Sequence, residues 1–274
     1  MSGEQPGLTP KSSELGLRLG SGLVMVAVAC LTLWWGSWPF ALLWTALGVV
    51  AVGEWLKIVV PQAGLQVRAV AMAGIAATGL AAFMGQEALG IVLCGATVGA
   101  IYLSSPHAVR LVAGAGVLYS AAIAMSPIVV RSEPQLGLAL IAWCFAVVWS
   151  TDVAAYFAGR RFGGPKLWPA ISPKKTWSGA VGGAIAGVCA GVFVAWAARR
   201  LGSAWTLGLL GTAGCALLAS AAGQMGDLLE SSLKRHFDVK DSGSIIPGHG
   251  GVLDRLDAFV VVVTLTAIAV AIWR

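Results

Sequence analysis

The chain has 274 residues, 58% hydrophobic and only 11% charged, with a formal net charge of +6. A soluble domain carries about 25% charged residues, so the composition excludes a soluble globular enzyme. Apolar runs are continuous rather than alternating with period two, which excludes a transmembrane β-barrel and leaves an all-α polytopic integral membrane protein.

In chain order, residues 1–20 read as a polar N-terminal tail. No cleavable signal peptide is expected, because the apolar run that follows is long enough to stay as an anchor. Nine spans then fall near 17–37, 39–58, 67–84, 88–104, 110–130, 136–158, 177–199, 204–224 and 254–273. Each approaches the roughly 20 residues that cross a bilayer as helix. Pro39, Pro61, Pro106 and Pro134 mark connections, where a missing N–H costs little. The five cysteines all lie inside apolar segments without a CxxC pair, so neither a disulfide framework nor a zinc site is expected. Tryptophans near the span ends fit an interfacial belt.

Nine spans would place fourteen of the eighteen Lys and Arg residues on the N-terminal side and four on the other. Lys/Arg-rich loops are cytoplasmic, so the N-terminus is expected in the cytoplasm. Residues 21–134 have short loops and read as a transmembrane scaffold. Residues 135–274 read as the catalytic region, with cytoplasmic loops at 159–177 and 225–254.

Within the second span, Glu54 has two readings. It pairs with Lys57 at the interface, three residues on and on the same helix face, or it faces the working half. Asp152, toward the end of the sixth span, is costly in a membrane helix and marks a functional or paired site. Tyr156 lies one turn on; a salt bridge from Asp152 to Arg160 or Arg161 is the structural alternative. The segment "GGPKLWPAISPKKTWSG" contains three prolines and reads as an ordered loop. Its lysines and hydroxyls precede a helix, an arrangement that suits an anion; a lipid-headgroup anchor is the alternative. Gly179, Gly183, Gly187 and Gly191 form a smooth stripe, which fits close helix packing or room for a lipid chain, and is compatible with a homodimer.

Residues 223–257 hold six of the twelve acidic residues and four of the basic ones. If the eighth span continues as helix, Asp227, Ser231 and Lys234 share one face. The glycines of "HFDVKDSGSIIPGHGG" let backbone N–H groups approach a phosphate. Asp254 and Asp257 follow at i, i+3 and share a helix face. Magnesium takes one or two protein carboxylates plus phosphates and waters, and nearby cations neutralise the remaining phosphate charge. Acid, base and glycine together describe a Mg²⁺–polyphosphate site; a solvated loop with internal salt bridges is the alternative.

The stretch "SSLKRHFDVKDSGSIIPGHGGVLDRLD" closely resembles the signature of phosphatidate cytidylyltransferases, or CDP-diacylglycerol synthases. It carries S-x-L-K-R, K-D, P-x-H-G-G and D-R-x-D in order. The segments "GQMGDLLE", "DVAAYFAGRRFG" and "ISPKKTWSG" resemble the family too, so the likeness covers about residues 140–274. Val153 and Ala154 depart from the Thr and Gly that many members have, and Ser178 departs from Glu or Gln.

The resemblance implies that CTP and phosphatidate give CDP-diacylglycerol and pyrophosphate. It implies Mg²⁺, with a second metal ion allowed, held by Asp227, Asp254 and Asp257. Lys234, Arg235, Lys240 and Arg255 would clamp phosphates, and His249, Gly250 and Gly251 would shape the nucleotide loop. Lys174, Lys175 and Ser172 would hold the phosphatidate phosphate. Asp152, Tyr156, Thr176, Ser231 and Asp241 complete the expected substrate contacts. CTP, phosphatidate and membrane lipids are the expected partners, nucleic acid is not, and the cell inner (plasma) membrane is the expected location. Two rivals are a CTP-dependent polyprenol or phytol kinase and a cation-coupled transporter.

Overall fold

The computed structural model describes residues 11–273. The ten residues before them, half of the expected tail, lie outside that range. Nine α-helices follow in chain order: α1 (Lys11–Trp35), α2 (Ser37–Val59), α3 (Leu65–Phe83), α4 (Glu87–Ser104), α5 (Arg110–Arg131), α6 (Gly137–Phe162), α7 (Trp177–Arg200), α8 (Leu209–His236) and α9 (Leu253–Trp273). Eight of them, α2 to α9, are long and apolar enough to cross a bilayer. The apolar stretch of α1, Leu19–Trp35, is shorter. The protein is an all-α polytopic membrane protein.

Two elements differ from their expected form. Residues 163–179, read as a loop, contain an antiparallel hairpin, β1 (Lys166–Trp168) and β2 (Ser172–Thr176), with Lys166 opposite Thr176. The eighth helix starts later and runs to His236, well past the expected end at residue 224. Its last three turns carry charge, so hydropathy loses them while the backbone stays helical.

Lipid tails are as apolar as leucine, so helices in a membrane associate through close packing. The glycine stripe of α7 performs that role inside the chain. A methyl group added at Gly179 or Gly183 would come within 2.8 Å of the α6 carbonyls of Ala155 or Thr151. At Gly191 it would meet Trp143 of α6 and Ala216 of α8. The stripe is therefore consumed by α6 and α8, and the ground it offered for a homodimer is gone. Elsewhere Trp44 of α2, Phe145 of α6 and Phe259 of α9 stack with centroids 4.8–6.3 Å apart.

The working loops converge at one end of the bundle. Ser21, near the middle of α1, donates to Pro247 O at 2.9 Å and lies 2.8 Å from His249 Nδ1. Lys175 of the hairpin reaches Asp227 of α8 at 2.5 Å. At the opposite end Arg131 donates to Leu33 O at 3.2 Å, and Ser203 donates to Gln135 O at 3.2 Å.

Candidate active site

The first turn of α9 exposes backbone N–H groups that have no partner within the helix. Glu54 satisfies that of Leu253, and together with Asp254 it takes up N–H groups of the loop that leads into the helix. Asp254, in that turn, accepts from Gly251 N and Ser242 N at 2.8 Å each, and from Ser242 Oγ at 2.9 Å, all on Oδ2. Its Oδ1 accepts from Lys234 Nζ at 2.6 Å. Glu54 arrives from α2 and accepts from Val252 N, Leu253 N and Ser242 Oγ, each at 3.0 Å. The single hydroxyl hydrogen of Ser242 serves only one of the two carboxylates at a time. Charge-assisted bonds at a helix N-terminus are among the stronger ones.

Glu54 is 2% exposed. Of its two readings, the structure bears out the one that faces the working half. The glycines of the loop follow from this packing. A methyl group at Gly250, whose φ is +84°, would lie 2.7 Å from Asp254 Oδ2. One at Gly251 would lie 2.1 Å from Ser242 Oγ and 2.5 Å from Glu54 Oε2. The loop was expected to offer its N–H groups to a phosphate; those of Ser242, Gly251, Val252 and Leu253 go to the protein's own carboxylates.

Lys234 is likewise engaged, between Asp254 and, at 3.3 Å, Glu230 Oε2. It was expected to clamp a phosphate directly; two of its three N–H donors face this buried pair. Glu230 is buried, with Lys234 as its ion-pair partner. Its carboxyl faces that of Asp257 on the next helix. Two carboxylates in that relation need a proton or a cation between them. Asp257 Oδ1 accepts from Ala258 N at 2.8 Å. Asp227, one turn before Glu230, accepts from Ser231 Oγ at 3.3 Å and pairs with Lys175. Asp152 lies in the field of Asp257 and Asp227, and of the cations Lys175 and Arg255.

Among the described residues, no three acidic, His or Cys side chains converge as a ready-made metal cage. Magnesium does not need one; it binds through one or two carboxylates and completes its shell with phosphate and water. The carboxylates of Glu230, which Lys234 also reaches, and of the facing Asp257 fit such a shared ion. Asp254 fits it less well, because Lys234 Nζ, Ser242 N and Gly251 N already occupy its carboxylate.

A cavity of about 630 Å³ opens beside this cluster, walled by α6, the hairpin, α7 and α8. Asp152, Tyr156, Lys174, Lys175, Thr176 and Asp227 line it, all expected site residues. Arg160, Lys166 and Gln224 line it as well. Arg160 donates to Tyr156 OH at 2.9 Å rather than pairing with Asp152. Thr176 caps α7 by accepting from Gly179 N at 3.1 Å. Ser172 sits in β2, opposite Trp168. Arg235, Lys240 and Asp241 are exposed and do not line this cavity. Sequence reading passed over Glu230, Ser242 and Gln224, and weighed Arg160 only as a salt-bridge partner of Asp152 and Lys166 only as one of the lysines of its loop. Glu230 alone carried a signal, as a carboxylate one turn before Lys234.

A sequence model described as the cytidylyltransferase family matches residues 16–273. The phosphatidate cytidylyltransferase of Brucella suis is 38% identical over 256 residues, 92% of each chain. That of Bacillus subtilis is 48% identical over 134 residues, 48% of each chain. That of Staphylococcus aureus strain COL is 45% identical over 135 residues, 49% of each chain.

Proposed function

The chain belongs to the cytidylyltransferase family, and on that premise we propose that it transfers the cytidylyl group of CTP to phosphatidate, giving CDP-diacylglycerol and pyrophosphate. The observation that carries this reading is the basic cavity of about 630 Å³ set against a buried acidic cluster at one end of a membrane bundle. Two polyanions must meet there, and charge cancellation is the main requirement of phosphoryl chemistry. A phosphate oxygen of phosphatidate attacks the α-phosphorus of CTP in line. The bond to the β-phosphate oxygen breaks, and pyrophosphate leaves with that electron pair. No protein nucleophile is needed.

Lys174, Lys175, Lys166 and Arg160 supply positive charge along the cavity wall. Glu230 and Asp257 would hold Mg²⁺, with Asp227 nearby; when bound the ion would neutralise phosphate charge and polarise the phosphorus–oxygen bond. Asp254, Lys234 and Glu54 fix the loop that closes the site rather than touching phosphate. This redistributes the roles implied by family resemblance, because buried partners already claim Lys234 and Asp254.

The purified chain in detergent should release pyrophosphate from CTP only when phosphatidate and Mg²⁺ are present. Release of CDP, with phosphate added to a prenol or phytol, would replace this reading with that of a lipid kinase. Turnover of neither kind would leave a transporter as the better account.

The same reading puts the working end in the cytoplasm of a cell whose inner membrane holds the protein. It is supported by the fourteen-to-four distribution of Lys and Arg. Cysteines introduced singly as Ala170→Cys and Ser244→Cys, both at exposed positions, should react with an impermeant maleimide only after the membrane is opened. Gln135→Cys, at the opposite end, should react in intact cells. The reverse pattern would invert the orientation.

A further inference from the structure

A second cavity, of about 420 Å³, lies between α1, α2, α6 and α9. Its walls are apolar side chains of those helices, among them Met25, Ala29, Leu47 and Trp149. At one end it turns polar, reaching Asp152, Arg255, Asp257 and His249. Asp152 borders both cavities. The apolar space and the basic space therefore meet at the acidic cluster from opposite sides.

We propose that the apolar cavity seats one fatty acyl chain of the lipid substrate, with α1 as its outer wall; this rests on the phosphatidate reading given above. A lipid phosphate beside Arg255 and the carboxylate-bound cation would direct a chain down this cavity. The nucleotide phosphates would approach the same point through the basic cavity. The volume lies within the roughly 300–1,000 Å³ of small-ligand pockets. Gly22, at the polar end, and Ala29 are two turns apart on α1, so the cavity extends about 10 Å along the helix axis.

Bilayer and cavity are equally apolar, so a chain gains no hydrophobic free energy on entering. Fit is what selects, and misfit in an apolar pocket discriminates about 10–200-fold per methylene. The wall made by α1 is thinly supported: its inner face meets α2 and α6, while Leu23, Val24 and Leu31 are exposed. Ala29 is thus the position from which chain length is read.

Ala29→Phe fills the cavity below its polar end. The preference for dioleoyl over dioctanoyl phosphatidate, taken as the ratio of kcat/KM values, should fall at least about tenfold. An unchanged ratio overturns the proposal. Should Ala29→Phe fail to insert, Ala29→Leu gives the same change in lesser degree. Independently, a phosphatidate with a diazirine near the end of one chain should label the wild-type α1 peptide containing Met25 and Ala29, and unlabelled dioleoyl phosphatidate should compete. Labelling confined to other helices overturns the proposal. Labelling of α1 without any CDP-diacylglycerol formed would instead sink the proposed reaction and keep the lipid site.

Discussion

Asp254→Asn is expected to lower kcat by at least about 10²-fold, and the loss should persist at saturating Mg²⁺. The reason is the buried pair with Lys234, whose side chain and that of Asp254 are 17% and 4% exposed. Removing one partner of a buried pair costs about 3–5 kcal/mol, and each 1.36 kcal/mol is about tenfold in rate when the lost order is that of the reacting site. Asparagine also turns an NH₂ toward Lys234 or toward the N–H groups of Ser242 and Gly251, where only an acceptor fits. Turnover across a Mg²⁺ titration, with the melting temperature alongside, checks this. Recovery at high Mg²⁺ would return Asp254 to the metal itself, the role implied by family resemblance. Near-normal turnover at low Mg²⁺ would remove it from the machinery altogether. Asp238→Asn is the control: Asp238 is exposed with φ +52°, a conformation asparagine tolerates, so it should be nearly silent.

Glu54→Ala is the second large effect, and it strikes from the half of the chain that looked like scaffold. It strands Val252 N and Leu253 N and takes one acceptor from Ser242. A hydrogen bond to a charged group contributes about 1.5–3 kcal/mol, so kcat/KM should fall by about 10² or more. A double-mutant cycle isolates the cause. A methyl group at Gly243 would have Glu54 Oε1 at 2.6 Å, and its three nearest atoms all belong to Glu54. Gly243→Ala should therefore be damaging alone and nearly neutral in the Glu54→Ala background. Strictly additive losses would show that Glu54 does not set the loop.

The helices were legible because apolar runs of bilayer length admit little else. Most edges agree within a few residues, as at Ser37–Val59 for the second span. Where charge resumed, hydropathy stopped reporting on the backbone: Asp227, Glu230 and Lys234 are helical, yet no longer apolar. The hairpin was hidden by three prolines that compose equally well as a loop. The site residues were legible as a set, since acid, base and glycine stand close in sequence. Their partners were not. Asp254 and Gly251 are three residues apart, whereas Glu54 and Val252 are separated by 198. No local pattern reports a contact of that span. A glycine pattern, moreover, reads alike whether its N–H groups meet a phosphate or a carboxylate of the same chain.

The reach of Glu54 also bears on how the molecule is made. Ser242 lies 188 residues after Glu54, and a ribosome adds about 5–20 residues per second, so the carboxylate waits about 10–40 s for its donors. During that wait α2 is already in the bilayer with a charge and no partner. Its position near the end of α2, three residues before Lys57, lets water at the membrane surface solvate it meanwhile. Closing the loop over Glu54 is thus a late event of biogenesis, and the nascent protein stays without an ordered working end until the ninth helix has emerged.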